Sequence, residues 1–420
     1  MNSKYQIIAK ADLLTFFLLT TFPISLILGN AIINTYFLLF SISFFFYFKK
    51  NINLTNNKIN YFLLFFFFSL LINLIFSIDL INSIPGVIKI LLVFLFALEI
   101  QRFVTYNKIE KINLLFKIWS FLFFIIVIDV IFEFFIGQNL IGYSSYMPGR
   151  IASFFGDELV VGAFFHGFVL FFISYLMNQY PKKKLFLTIT ILILLYTSFI
   201  IGERSNFLKI LFSLIIYSFL VLKINNIKKI AVIFFILLII TSIINFNKDY
   251  KYRYYSQIKD FYGKNAWHYF IKNSQYGAHQ LVAFEIFKDK PLFGVGIKNF
   301  MSESYNSKYN NSNPNNNLRA GTHPHQLHMQ FLSETGLFGY ISFLIFIIGS
   351  IFLGIKEHLK SKNLYLISSI IFIISTLIPI IPSGSFFSTF SGGIFWINFI
   401  IMSAFIERKL NIKLRFFTIY

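Results

Sequence analysis

The sequence contains no cysteine. That removes any disulfide framework and any thiolate metal site, and it leaves the redox compartment unreadable from this residue type. Charged residues are scarce too, at 13% against 57% hydrophobic, where a typical soluble domain carries about 25% charged residues. A water-soluble chain of 420 residues this apolar could not cover its own exterior with polar groups, so a bilayer is implied. Acidic residues are few: 17 Asp and Glu stand against 37 Lys and Arg, a formal charge of +20. Such a balance suggests nucleic acid until the place of the cations is considered, and here most of them collect on one side of a membrane, as the positive-inside rule requires. No small-residue cleavage site separates the first two apolar runs, so the first, beginning near Leu13, reads as a signal anchor rather than a cleaved leader. The wealth of Phe, Ile, Asn and Lys has the look of an AT-rich codon bias, which lowers the weight of aromatic-rich or Asn-rich stretches taken alone.

What is present is a series of apolar runs of membrane length, about 20 residues each. They fall near 12–29, 31–48, 59–77, 84–101, 113–136, 158–177, 185–201, 206–222, 230–246, 336–354, 364–382 and 392–406. The expected fold is all-α, a polytopic integral membrane protein of about 12 transmembrane helices. Its parts are helices 1–9 in 1–246, a loop in 247–335, and helices 10–12 with a basic tail in 336–420. Placing both termini in the cytoplasm puts 21 Lys and Arg in the inside segments and leaves only Arg150 and Arg204 in the short outside loops. The ninth run then delivers the chain outside. Residues 249–290 of the loop read as helical, with apolar and aromatic residues at helical spacing, whereas 304–317 are Asn-rich and of low complexity. From Asn247 to His325 there are 11 basic and 5 acidic residues. An anionic partner would account for that excess, as would the freedom of long loops from the charge rule.

Four places in the outside segments hold chemistry. Arg204 lies in Gly202-Glu203-Arg204-Ser205-Asn206, a tight turn between the seventh and eighth runs. Its planar fork of donors suits phosphate or carboxylate, and the alternative is a solvated or Glu203-paired turn arginine. Arg150 precedes the sixth run, where Asp157 and Glu158 are placed to cap a helix N-terminus. Thr322-His323-Pro324-His325-Gln326-Leu327-His328 opens the tenth run and ends in Glu334-Thr335-Gly336. Pro324 predicts a helix start that sets His325, Gln326 and His328 along the first turns. Imidazole titrates near neutral pH and can take a proton from a hydroxyl. A metal reading of His325 and His328 lacks an outside carboxylate at ligand spacing, and a plain interfacial histidine cluster is the other alternative. Upstream, Gly294 and Gly296 would let backbone approach a ligand closely, Asn299 offers both donor and acceptor, and His279 is the polar residue of the preceding helical stretch. A Gly-x-Gly without a third glycine is no nucleotide fingerprint.

The run Pro291-Leu292-Phe293-Gly294-Val295-Gly296, the run His323-Pro324-His325-Gln326 and the run Glu334-Thr335-Gly336-Leu337-Phe338-Gly339 resemble the bacterial O-antigen ligase and polymerase family. Gly202-Glu203-Arg204-Ser205 and the segment from Arg150 to Gly162 are similar to that family's outside arginine segments, and residues 140–340 carry the most specific likeness. The resemblance implies a GT-C-like membrane glycosyltransferase with one large periplasmic loop between helices 9 and 10. Such an enzyme sits in the bacterial inner membrane and moves a glycan from undecaprenyl diphosphate to lipid A-core or another glycan, inverting the anomeric centre without metal or cofactor. By position it makes His325 and Arg204 catalytic. Arg150, His279, Gly294, Gly296, Asn299, His323, Gln326, His328 and Glu334 become the substrate-binding set. A further loop arginine typical of the family has no clear match: only His279 stands there, and Arg253 lies too far upstream to align. Ligase and polymerase share these motifs. A lipid-linked sugar transporter is the reading from a different class, but it predicts midplane charges and inverted repeats, whereas the polar residues here gather on one face. No partner among nucleic acids is expected.

Overall fold

In the computed structural model, residues 3–47, 58–221, 238, 240–259, 266–310, 316–379 and 381–407 are described, and no strand occurs among them. The chain runs through α1 (Ser3–Leu28), α2 (Asn30–Tyr47), α3 (Lys58–Ile75), α4 (Leu80–Tyr106), α5 (Ile109–Ile136), α6 (Val161–Gln179), α7 (Lys184–Ile200) and α8 (Arg204–Leu220). After the loop helices α9 (Ala266–Asn273) and α10 (Gln275–Asp289) come α11 (Leu327–Ser361), α12 (Leu364–Thr376) and α13 (Thr389–Glu407). Helices occupy eleven of the twelve apolar runs. The ninth run lies mainly outside the described residues, as do the basic tail from 408 and part of the Asn-rich stretch, 311–315. Among the described residues six helices, α3, α4, α5, α6, α11 and α13, are long and apolar enough to cross a bilayer.

Local chemistry sets the helix ends. Asp79 accepts hydrogen bonds from the Ile81 and Asn82 amides and so caps α4. Gly137, at φ 86°, closes α5 in the left-handed conformation. Gly29, at φ 100°, makes the one-residue reversal between α1 and α2. The bundle is held by phenylalanine: Phe66 of α3 meets Phe331, Phe343 and Phe346 of α11, and Phe116 of α5 stacks on Tyr365 of α12 at 3.6 Å. Large apolar side chains such as Phe121, Ile348 and Phe352 are left on the outside, as a lipid-facing surface requires.

Three helix boundaries differ from the hydropathy reading. The helix of the tenth run starts at Leu327, with Gln326 as its N-cap accepting from the Met329 amide at 2.7 Å. His325 and Gln326 therefore precede the helix rather than lie on its first turns, and His325 has φ 54°. The same helix breaks at Gly336, with φ 62° and ψ −168°. Broken helices leave amides and carbonyls without partners, and the Pro291–Gly296 segment of the loop supplies them. Leu337 and Phe338 donate to Pro291 and Leu292 at 2.8 and 3.1 Å, while Val295 and Gly296 donate to Ser333 and Glu334 at 3.0 and 2.8 Å. The eleventh run is expected to reach 382, but α12 stops at Thr376 because Pro379 and Pro382 follow, neither of which continues a helix. The described residues between α12 and α13, 377–379 and 381–388, form an irregular strap across this end of the bundle. Finally, Asp157 and Glu158 sit exposed in a 3₁₀ turn, Ser153–Glu158, and do not cap α6.

Candidate functional site

Two polar groups occupy the end of the bundle where the α5–α6 and α7–α8 connections, the loop and the strap meet. The first is built on arginine. Gly202, at φ 77°, lets the α7–α8 turn press against the α5–α6 connection. A Cβ there would lie 1.9 Å from the Gly149 carbonyl oxygen, and the Ile151 amide donates to Ile201 at 3.1 Å. This contact brings Arg150 to Glu203, an ion pair at 3.3 Å. Glu203 also accepts from the Gly162 amide at 2.9 Å, so it takes over the capping of α6. It is Arg150, not Arg204, that pairs with Glu203. Arg204 donates to the Arg253 carbonyl at 3.0 Å, and Arg253 donates to the Gly202 carbonyl at 3.0 Å. Two buried carboxylates of α5 position the Arg150 segment from beneath. Glu133 accepts from the Ala152 and Ser153 amides at 2.9 and 2.6 Å, and Asp129 accepts from the Ser153 hydroxyl at 2.6 Å.

Three guanidinium groups thus share one place, and the ion pair to Glu203 is the one recorded for them among the described residues. Burial first, then Arg150 and Arg204, hold the Arg253 pKa below the usual arginine value. Burial pushes the Glu203 carboxyl up, and Arg150 opposes that shift. The Nε atoms of Arg150 and Arg253 are buried without a hydrogen-bond partner. Three guanidinium groups beside one carboxylate leave an excess of positive charge and of donors, chemistry suited to an anion bearing several oxygens. Arg253 is the member that sequence alignment passes over; its place depends on a π-helical turn, Tyr252–Ser256, which no hydropathy pattern signals.

Substituting Gly202 tests this joint. Gly202→Ala combines a disfavoured φ with a clash into backbone, and a cost of about 1–3 kcal/mol is expected for the strained conformation alone. A thermal unfolding midpoint below that of the wild type, measured in detergent, is the predicted result; an unchanged midpoint would show that the two connections do not press together.

The second group is built on imidazole. His325 stacks on His279 with ring centroids 5.3 Å apart, meets His323 at 4.0 Å and faces Tyr276 at 5.0 Å. Its carbonyl accepts from the Ser383 amide of the strap at 2.9 Å. His279, 1% exposed, donates from Nε2 to Ala320 at 3.1 Å and keeps Nδ1 unpartnered. Thr322 bonds Nδ1 of His323 at 2.9 Å. Burial, with smaller contributions from the other two imidazoles, pushes His325 down to about 3; His323 is pushed down to about 4, again chiefly by burial. Burial lowers His279 as well, so all three rings are held in the neutral form near pH 7. Among the described residues no group of three or more His, Cys, Asp or Glu side chains is arranged to hold a metal ion.

The remaining sequence candidates have structural partners. His328 engages Tyr340 through Nδ1 at 2.9 Å and the Leu377 carbonyl through Nε2 at 2.8 Å. Gln326 donates to Pro379 at 2.8 Å. The close backbone approach that Gly294 permits is to Ser333 and Glu334, and that of Gly296 is to Ser77. Asn299, fully buried, donates to Ser77 at 2.8 Å and also to the Asp79 and Val295 carbonyls, tying the loop to the α3–α4 turn. Glu334 is fully buried and accepts from Gln330 at 3.1 Å. Ser383, Tyr276 and Lys209 belong to the site's surroundings and carry no motif by which sequence alone would find them.

An all-helical bundle with several bilayer-length helices, its arginine and imidazole groups gathered at one end, is that of a multi-pass membrane protein. Residues 189–344 match a protein-family model described as O-Antigen ligase. That match, which takes in Arg204, Arg253, His279 and His325, supports the chain as a member of the O-antigen ligase family. No curated protein matches the chain.

Proposed function

We propose that this protein transfers a glycan from undecaprenyl diphosphate to a periplasmic acceptor in the bacterial inner membrane, with both chain termini cytoplasmic and lipid A-core as the acceptor. The observation that carries the reading is the convergence of Arg150, Arg204 and Arg253 at one turn, where, among the described residues, Arg150 alone of the three pairs with a carboxylate, Glu203. In the proposed reaction an acceptor hydroxyl attacks the anomeric carbon from the face opposite the diphosphate, so the centre inverts. As the new C–O bond forms, the bond from that carbon to the diphosphate oxygen breaks, and the hydroxyl proton passes to the neutral imidazole of His325. The departing diphosphate gains negative charge, which preorganised guanidinium groups stabilise more strongly than they do the bound donor. These residues suffice for such a displacement without a metal ion. His279, His323 and Tyr276 hold the imidazole in place.

Deletion of the gene in its host, with complementation by wild type, Arg204→Ala or His325→Ala, tests the reading on the cell's lipopolysaccharide. Long-chain lipopolysaccharide should vanish on deletion and return with the wild type alone, each variant being present in the membrane. Accumulation of long undecaprenyl-linked chains identifies a ligase; a core capped with one repeat identifies a polymerase. Full rescue by both variants would remove these residues from the reaction, and an unaffected deletion strain would remove lipopolysaccharide as the product.

A further inference from the structure

Lys209 lies on α8, five positions after Arg204, and is 4% exposed. Burying an ammonium is costly unless something holds it, yet the bond recorded for it is a single one, from Nζ to the Pro382 carbonyl of the strap at 3.0 Å. Glu203 and His166 are the titratable groups near enough to act on it or be acted on by it. The next residue of the strap, Ser383, donates its amide to the carbonyl of His325 at 2.9 Å, and its backbone also reaches His323. His325 itself has the left-handed φ of 54°, uncommon for a non-glycine residue although histidine adopts it more readily than most. A short chain of bonds thus runs from the helix that begins with Arg204, through Lys209, Pro382 and Ser383, to the backbone that aims the His325 ring.

We propose that Lys209 is a positioning residue for His325. Acting through Pro382 and Ser383, it fixes the imidazole relative to the arginine group. The inference rests on the glycosyl-transfer reading for its kinetic consequence but not for its structural one. Without the ammonium, the strap loses its tie to α8 and the His325 ring its fixed distance from the donor's anionic end. Misplacement of a reacting group by about 1 Å costs on the order of 10²-fold in rate.

The test uses the full chain in lipid nanodiscs, as wild type, Lys209→Met and Lys209→Arg. Transfer is followed with an undecaprenyl-diphosphate-linked glycan and its acceptor, and the rate of His325 modification by diethyl pyrocarbonate is read separately by mass spectrometry. Lys209→Met is expected to lower kcat about 10–100-fold with the donor KM little changed, and to alter the His325 modification rate. Lys209→Arg, which still donates to Pro382, should restore both. An unchanged His325 modification rate in Lys209→Met overturns the proposal. So does a raised donor KM at unchanged kcat, which makes Lys209 a direct anion ligand. If Lys209→Met does not accumulate, Lys209→Arg decides: near-wild-type values for both readouts sustain the assignment, and loss of either overturns it. Should the wild type itself transfer no glycan, the enzymatic reading fails, and the modification rates still judge the positioning role.

Discussion

Replacing His325 with alanine is expected to lower glycan transfer about 10²–10⁴-fold, the range for loss of a positioned proton acceptor. Its pH behaviour should be equally distinctive. An unperturbed histidine titrates near 6.5, but burial holds His325 down at about 3 in the folded protein. The neutral, proton-accepting form therefore persists through the whole physiological range, and kcat/KM for the wild type should show no acid limb near pH 6.5. Once the anionic donor is bound, its charge favours imidazolium and raises that pKa. The acid limb of kcat is then expected at higher pH than that of kcat/KM, since the two report the complex and the free enzyme respectively. Coincident limbs near 6.5 would mean an exposed histidine with no special environment. The same shift bears on stability: the unfolded chain takes up protons below about pH 6.5 while folded His325 and His323 resist until about 3 and 4. Stability is thus complete above the unfolded pKa and is lost as pH falls toward the folded values.

Arg253→Ala is expected to cost about 10²–10³ in kcat, as removal of one preorganised charge from a developing anion does. Arg253→Lys should recover only part of this, because an ammonium keeps the charge and loses the planar fork. Turnover of both variants, alongside their unfolding midpoints in detergent, separates chemistry from folding. The midpoint control matters because Arg253 also donates to Gly202 and accepts from Arg204. Wild-type turnover in Arg253→Ala would reduce the anion site to Arg150 and Arg204. A drop in midpoint that accounts for the lost activity would assign Arg253 to the turn alone.

The sequence made some of this legible and concealed the rest for definite reasons. Apolar runs mark helices because a helix is the local solution to satisfying backbone groups in lipid, and eleven of the runs are helices here. Arg204 was readable because Gly202 and the lengths of the flanking runs define its turn. His325 was readable as a member of a histidine cluster, but its position before the helix was not. Gln326 rather than the residues around Pro324 caps that helix, a choice made by contact with Pro379. Arg253 is set aside in the sequence as too far upstream to align, because nothing in its own neighbourhood marks it. It earns its place through Gly202, 51 positions away. Gly294 and Gly296 announced a close approach without saying to what, and only the broken α11 and the α3–α4 turn answer that.

The stitching of the loop to the α3–α4 turn also dictates an order of events during synthesis. Asn73 donates to the Phe293 carbonyl across 220 positions, and Ser83 to Ile297 across 214. At a ribosomal pace of roughly 5–20 residues per second, that separation is about 10–40 s of elongation. For that interval the first hairpins are already made while their polar turn still waits for partners that have not been translated. Maturation of this end of the protein is accordingly paced by the ribosome: its early half remains an unfinished acceptor until the late loop arrives to close it.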